Sequence, residues 1–392
     1  MSWRRWAVLV GVITTATVMV ACGAPASSAK SRSPGAAGPP AGFQPQSLER
    51  IGDGQGIVVA GTAPCGRLAC AVVLSGALGA DGLVHHWHRL RTPPIPATHN
   101  ALSLNVGTLA FASSLDGYDV VPPSTLGGEI RVYVTTDGGT SWHQARINAG
   151  TVLTLAEAPS GFYAVTARCR FESCDDYRLA HSAAGTTRWS STPIPGTAGL
   201  DGSPVGLAVQ GTEVLLNFQP AVKGGPPHLL IASNSRAPFE IHLMRPLVSV
   251  GACVLSPQPG GAVWASCATG MLVSYLHSPS ADGPYVGVWR YAGTGGGGFV
   301  PVTGNVAYRY TGIAVSSPEK LPGDIVQRST NGGRTFTDAG PWPFARNLGT
   351  TPQFLFLDEQ EGFGLGPTPT NAAVSEVVET ADGGRHWTQV LP

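Results

Sequence analysis

The sequence repeats one eight-residue turn three times, and this repetition limits the possible folds more than any other feature. The segments are TTDGGTSW at 135–142, STNGGRTF at 329–336 and TADGGRHW at 380–387. Each places two glycines after an Asp or Asn and ends on an aromatic residue. Because glycine adopts positive φ without steric cost, each segment predicts a tight turn. A chain that repeats a turn at long intervals is predicted to repeat the structural unit around it.

Aromatic residues at a similar interval extend the repeat to seven units. They are Trp87, Trp142, Trp189, Phe239, Trp289, Phe336 and Trp387, and the six intervals average 50 residues. The strands are clearest at 353–392, where FLFLDEQ, GFGLGP and SEVVET precede the turn and HWTQVLP follows it. Four short strands per ~50 residues are typical of a propeller blade. We therefore predict an all-β fold, a seven-bladed β-propeller of four-stranded antiparallel blades over 44–392; the alternative is a pair of β-sandwiches.

Composition agrees with many short strands joined by turns and excludes one class of partner. The chain has 52 glycines, 33 prolines, only 12% charged residues and few runs of helix-forming residues. Short apolar runs between Gly/Pro clusters are typical of strands. The formal net charge is zero, so no basic field predicts nucleic acid binding.

The three turns share the pattern S/T-x-D/N-x-G-x-T/S-W/F, with His386 departing from it at the seventh position of the last turn. The pattern resembles the Asp-box, or BNR repeat, of propellers such as sialidases, sortilin-type receptors and photosystem II assembly-factor-like proteins. The resemblance implies that each box joins the third and fourth strands of a blade, away from the usual ligand face. It implies structural roles for Asp137, Gly139, Trp142, Asn331, Gly333, Phe336, Asp382, Gly384 and Trp387.

The N-terminus predicts export and anchoring to a membrane. Residues 1–21 have the basic start and apolar run of a signal peptide, too short for a ~20-residue membrane helix. The segment VMVAC, ending at Cys22, resembles the lipobox of bacterial lipoproteins, which implies a lipid on Cys22. Residues 22–43, rich in Gly, Ala, Pro and Ser, are predicted to form a flexible tether. The predicted location is the outer side of the cytoplasmic membrane; the alternative is an uncleaved signal anchor, and the Sec and twin-arginine routes both stay open.

Six cysteines remain after Cys22, and their spacing suggests three local disulfides. The proposed pairs are Cys65–Cys70, Cys169–Cys174 and Cys253–Cys267. A hairpin turning near Gly260 would place the last pair opposite each other. Such disulfides fit an oxidising compartment. The rival interpretation is a metal site, but four intervening residues without a second Cys/His pair do not favour one, so we predict no metal.

Two segments are predicted as ligand-binding loops on the face opposite the repeated turns. The first, 113–129, carries Tyr118 and Asp119. The second, 167–178, is closed by the proposed disulfide between Cys169 and Cys174. Its candidate binding residues are Arg170, Asp175, Asp176 and Tyr177. Constrained polar and aromatic loops are suited to recognition, although a solvated rim is the alternative.

The function predicted from the sequence is a binding or assembly module for a protein or glycan. It is expected to be monomeric, without catalysis or a cofactor. The alternative is an exported glycoside hydrolase of sialidase-like architecture, which would need an arginine trio beside a Tyr–Glu pair. The Arg-Ile-Pro signature of sialidases is missing, because PPIPAT and TPIPGT lack the arginine. The run HHWH at 85–88 predicts an exposed fourth strand rather than a metal site.

Overall fold

The computed structural model contains seven four-stranded antiparallel sheets, each built from strands consecutive along the chain. It describes residues 38–52, 54, 56–95, 108–121, 130–147, 150–170, 173–194, 204–218, 228–234, 239–243, 253–269, 272–292, 298–310, 325–344, 353–371 and 374–392. These residues belong to one compact unit, 35–392. Its seven sheets confirm the predicted seven-bladed β-propeller.

The first four blades contain strands β1 to β16. Blade 1 comprises β1 Gln44–Arg50, β2 Gly56–Cys65, β3 Leu68–Leu78 and β4 Val84–Leu90. Blade 2 comprises β5 Thr108–Phe111, β6 Gly117–Val121, β7 Arg131–Thr135 and β8 His143–Gln144. Blade 3 comprises β9 Thr151–Ala158, β10 Gly161–Arg170, β11 Ser173–Ala183 and β12 Ser190–Pro193. Blade 4 comprises β13 Pro204–Gln210, β14 Glu213–Phe218, β15 His228–Ala232 and β16 Glu240–Leu243.

The last three blades contain strands β17 to β28. Blade 5 comprises β17 Cys253–Pro257, β18 Val263–Thr269, β19 Leu272–Ser278 and β20 Val286–Ala292. Blade 6 comprises β21 Phe299–Pro301, β22 Ala307–Tyr310, β23 Ile325–Ser329 and β24 Thr337–Pro341. Blade 7 comprises β25 Gln353–Phe356, β26 Gly362–Pro367, β27 Ser375–Thr380 and β28 Thr388–Leu391.

Burial follows the position of each strand within its blade. The second strands are almost continuously buried, as in β2, β14 and β26, whereas the fourth strands β8 and β12 are largely exposed. A strand packed between two neighbouring blades has no solvent face, so near-continuous apolar runs suit it better than alternation. The first strands of consecutive blades contact one another, for example β1 with β5 and β25. These first strands therefore line the centre of the ring, and the fourth strands form its outer edge.

Among the described strands, none is shared between the sheets of blades 1 and 7, and the ring closes by packing between these two blades. A buried apolar cluster joins the two blades and includes Leu48 and Trp87 from blade 1 and Phe363 from blade 7. Two hydrogen bonds cross the same boundary: Leu48 N–H donates to Gln353 Oε1 at 3.0 Å, and Val84 N–H donates to Glu379 Oε2 at 3.1 Å. Closure therefore depends on side-chain packing and a few hydrogen bonds.

The three repeated turns share one hydrogen-bond pattern, and each joins the third strand of its blade to the fourth. In blade 2, the hydroxyl of Thr135 accepts from Gly139 N–H at 2.9 Å, and Asp137 Oδ1 accepts from Ser141 N–H at 2.8 Å. The equivalent bonds, at 2.9 to 3.0 Å, recur in the turns of blades 6 and 7. Both central glycines have positive φ in all three turns. Their membership of the Asp-box family stays a prediction.

The Asp382→Ala substitution should destabilise the fold, because its carboxylate holds the turn of blade 7. Although partial burial acts in the opposite direction, hydrogen bonds from His386 and Thr380 lower the pKa of Asp382 to about 2. A carboxylate whose pKa is lowered on folding stabilises the fold at pH values above its unfolded pKa. This stabilisation is lost as the pH falls through its folded pKa. Because the side chain is one third exposed, we expect a cost of only about 1–2 kcal/mol at neutral pH. Urea unfolding of Asp382→Ala beside wild type measures it; equal midpoints would contradict the turn's contribution.

Candidate functional site

Two long hairpins with a disulfide at the tip distinguish blades 1 and 3 from the other blades in the described part of the chain. Their second and third strands have 10 and 11 residues, against four to seven elsewhere. Cys65–Cys70 and Cys169–Cys174 close the hairpin tips, which confirms both proposed pairs. Both tips lie where the second strand meets the third, so they lie on the ring face opposite the repeated turns.

The third predicted disulfide is also present, but it lies in the core. Cys253 pairs with Cys267 across β17 and β18, and both residues are fully buried. The hairpin turns at Gly260 and Gly261, each with a φ of 92°. This confirms the predicted hairpin. Because no solvent reaches this disulfide, it belongs to the core of blade 5 and not to a ligand surface.

The segment 167–178, predicted as a constrained loop, consists in its described residues of the end of β10, up to Arg170, and the start of β11, from Ser173. Its residues continue β10 and β11, and the disulfide holds their register to the tip. Arg170 ends β10. Asp175 and Asp176 are exposed, whereas Tyr177 is only 7% exposed and packs edge-on against Phe218 of blade 4. The exposed acidic residues, and not Tyr177, are available to a ligand.

A bulge at Asp176 organises the charges of this hairpin. Asp176 has a φ of 52°, and the register shifts opposite it, between Thr166 and Arg168. Its carboxylate lies 3.7 Å from Arg168 Nη2 and 3.6 Å from Arg178 Nη1. The hairpin of blade 3 therefore presents one carboxylate between two guanidinium groups, beside the exposed Asp175.

Tyr118 and Asp119 lie in a buried strand, so the prediction that they sit in a loop is wrong. They belong to β6, and their exposed fractions are 2% and 1%. The connection between β5 and β6 is only the short turn 112–116, in which Ser113 Oγ accepts from Asp116 N–H at 3.0 Å. The chain therefore forms the second strand of blade 2 from Gly117 onward. The rest of the predicted loop, 122–129, lies outside the described residues.

Tyr118 belongs to a cluster of acidic groups that the sequence did not indicate. Its hydroxyl donates to Glu157 Oε2 of blade 3 at 3.3 Å. The carboxylates of Glu49, in blade 1, and Glu157 are close enough to repel each other. Burial and, to a smaller extent, this repulsion raise the pKa of Glu49 to about 7. Burial also raises the pKa of Glu157, although part of that residue is exposed. Because Glu49 and Glu157 lie on first strands, this cluster faces the centre of the ring.

The cluster lacks the features that a sialidase-like reaction requires. Burial raises the pKa of Tyr118 well above its ordinary value, so its hydroxyl stays protonated and packed against Phe162. No described arginine is among the charges that shift the pKa of Glu49, Glu157 or Tyr118. A Tyr–Glu pair is therefore present, but it is not beside an arginine trio in the described part of the ring. The described residues also contain no group of three or more metal ligands.

Asp119 is a buried carboxyl group in the second strand of blade 2. Within the described residues, neither of its carboxylate oxygens has a hydrogen-bond partner of good geometry, although the backbone N–H of Val120 is near enough to act against the rise in its pKa. Burial raises its pKa to about 7, far above the ordinary value of 3.8. A buried charge without a partner is costly, so the carboxyl retains its proton into the neutral range. Asp119 therefore affects stability, and its burial keeps it from a ligand.

A small apolar crevice between blades 6 and 7 has a cavity volume of about 10 Å³, roughly the room that one water molecule needs. It is lined by Gly298, Val300, Tyr308, Arg309, Tyr310, Val326, Phe354 and Phe356. Drug-sized ligands usually occupy ~300–1,000 Å³. The Arg309 guanidinium already lies over the rings of Phe336, at 4.0 Å, and Trp289, at 5.2 Å. This crevice is therefore packing between blades, and the hairpins remain the better candidate for a ligand surface.

The fold and the hairpins define a disulfide-bonded β-propeller with an exposed polar face. No protein-family model and no curated protein matches the sequence. Prolyl oligopeptidase B from Galerina marginata, bound to a macrocyclization substrate, is similar at 11% identity with a TM-score of 0.54. The match covers 88% of this chain and 50% of that protein, so the chain spans half its length.

Two further solved structures have similar architecture. An ulvan lyase of polysaccharide lyase family PL25 has 10% identity and a TM-score of 0.52, covering 88% of this chain and 96% of that one. YCF48 bound to D1 peptide has 13% identity and a TM-score of 0.48, covering 87% and 92%. At these identities the similarity shows the fold alone.

Proposed function

We propose that this protein is an exported, lipid-anchored β-propeller that binds a protein or glycan ligand without catalysing a reaction. The observation that carries the proposal is the pair of hairpins with disulfide-closed tips, which extend from the same face of blades 1 and 3. A recognition surface held rigid before binding loses little conformational entropy on binding. The exposed Asp175 and the Arg168–Asp176–Arg178 arrangement give the blade 3 hairpin polar groups for such a ligand.

The export part of the proposal rests on the cysteines. Three disulfides support an oxidising compartment, because thiols are kept reduced in the cytosol. Among the described residues, no helix has the length and apolar character needed to span a bilayer. Cys22 and the tether lie outside the described residues. Metabolic labelling with a palmitate analogue tests the anchor: wild type should incorporate the label, and Cys22→Ser should not.

Loosening the blade 3 hairpin should weaken ligand binding about tenfold without unfolding the ring. The ligand is first identified with a glycan array and a pull-down from the native envelope, using the mature chain 22–392 with Cys22→Ser. Its affinity is then measured for the variant Cys169→Ala/Cys174→Ala, whose hairpin tip loses its preorganisation. The control is Cys253→Ala/Cys267→Ala, which removes a disulfide from the core of blade 5.

The control should lose stability but retain affinity at temperatures well below its unfolding. Equal weakening in both disulfide variants would contradict a site on the blade 3 hairpin. Release of sugar from an arrayed glycan would instead favour the hydrolase alternative. In that case Glu49→Gln or Glu157→Gln should abolish the release, since these are the described carboxylates that meet at the centre of the ring.

A further inference from the structure

The N-terminal segment joins the ring at the outer edge of blade 1. Gly38 N–H donates to the carbonyl of Trp87 in β4 at 3.0 Å. Residues 39–42 then lead inward to Phe43, which is 5% exposed and belongs to the cluster that joins blades 1 and 7. The polypeptide that precedes Gly38 therefore leaves the ring beside its fourth strand and not from the centre of either face.

The same edge concentrates basic side chains. We define the blade 1 edge as His86, His88, Arg89 and Arg91, all of which are exposed. Counted without histidine, the chain as a whole has equal numbers of acidic and basic residues, 24 each, so the excess charge of Arg89 and Arg91 is local. Neither guanidinium forms an ion pair within the described part of the chain. The adjacent His85, by contrast, is paired with Asp81 at 2.8 Å.

We propose that the blade 1 edge docks on the surface of an anionic phospholipid bilayer. The inference rests on the proposed lipid anchor, because that anchor brings the edge to a membrane. The sixteen residues from Cys22 to Ala37 span at most ~58 Å even when fully extended. The chain thus ties this edge, more closely than any other described part of the ring, to the lipid. Anionic lipid attracts basic residues near its surface, by about fivefold in affinity for each arginine.

The composition of the edge fits a lipid surface better than a protein partner. Protein interfaces have an apolar or aromatic core. The large apolar residues that are exposed in the described ring are Leu115, Ile130, Val254 and Val286, and none belongs to blade 1. The aromatic residue of β4, Trp87, is 9% exposed and faces the core. Docking through this edge would leave both ring faces open to a ligand, including the face that carries the disulfide-closed hairpin tips.

Vesicle binding of the mature chain 22–392 with Cys22→Ser, which carries no lipid, tests the proposal. We expect binding to phosphatidylglycerol-rich vesicles, weakened by salt, and little binding to phosphatidylcholine vesicles. Arg89→Gln/Arg91→Gln should weaken the binding about 25-fold. The matched control is Arg131→Gln/Arg146→Gln, which removes the same charge from exposed positions of blade 2. Equal weakening by both double variants, or no binding to the anionic vesicles, would overturn the proposal.

Amide hydrogen exchange locates the contact independently of the substitutions. Anionic vesicles should slow exchange in Val84–Leu90 at least severalfold and leave the outer strand of blade 5, Val286–Ala292, unchanged. Protection of β20 alone would overturn the proposal. So would binding of the edge to a soluble acidic polysaccharide but not to vesicles. Palmitate labelling of Cys22 is scored separately, so a lipidated chain without vesicle docking would refute the surface and retain the anchor.

Discussion

The Phe363→Ala variant should lose about 3–5 kcal/mol of unfolding free energy. Phe363 is 1% exposed and lies in the apolar cluster between blades 7 and 1. Truncation removes its transfer free energy and leaves a cavity in the interface that closes the ring. The chain does not link blade 7 directly to blade 1, and no strand is shared between their sheets. Guanidinium unfolding, followed by tryptophan fluorescence, measures the loss.

The matched control is Phe162→Ala, at a boundary that the chain crosses. Phe162 is also 1% exposed, and it packs in the cluster between blades 2 and 3 with its ring centroid 5.3 Å from that of Tyr118. Its unfolding free energy should fall by a similar amount. Only Phe363→Ala should speed native-state amide exchange in both β1 and β27, because only there can the ring open without breaking a covalent connection. The same exchange pattern in both variants would show that the boundary between blades 7 and 1 opens no more readily than the boundary between blades 2 and 3.

The sequence predicted the parts of this structure that repeat. The turns at 135–142, 329–336 and 380–387 have the expected positive-φ glycines, and β26 and β27 coincide with the predicted strands GFGLGP and SEVVET. The three disulfides could be proposed because each joins residues in one hairpin, so sequence separation alone restricts the pairing. Turns, short strands and disulfides within one hairpin can be predicted because the residues that form them are close together in the sequence.

The candidate site was harder to predict because it depends on distant parts of the chain. Glu49 and Glu157 are separate acidic residues in sequence and meet only when blades 1 and 3 are placed around the ring. The length of the segment 113–129 predicts a loop that includes Tyr118 and Asp119, yet β6 begins at Gly117 and of the segment's acidic residues only Asp116 lies in the turn before it. The exposed outer strand expected from HHWH is present as β4, but the attachment of Gly38 beside it has no sequence signal.

The ring should become less stable as pH rises from about 5 to 8, and Asp119→Asn should remove much of that loss. Burial raises the pKa of Asp119 from 3.8 to about 7. A carboxyl whose pKa is raised on folding contributes most to the free energy of unfolding at pH values below its unfolded pKa. This contribution is lost as the pH rises through its folded pKa. For Asp119 the loss between these pH values is about 2.5 kcal/mol. The neutral, nearly isosteric Asn should therefore be about 2–4 kcal/mol more stable than Asp at pH 8.

The control for this prediction is Asp116→Asn, at the residue directly before β6. Asp116 is also buried, at 7% exposure, but its carboxylate accepts from Gly185 N–H at 2.8 Å and from the Ser113 hydroxyl at 3.1 Å. Removing a paired carboxylate should lower stability and leave the loss between pH 5 and 8 in place. Thermal unfolding of wild type and both variants across this range separates the two residues. A pH dependence in Asp119→Asn as steep as that of wild type would mean that Asp119 has a partner at its buried position.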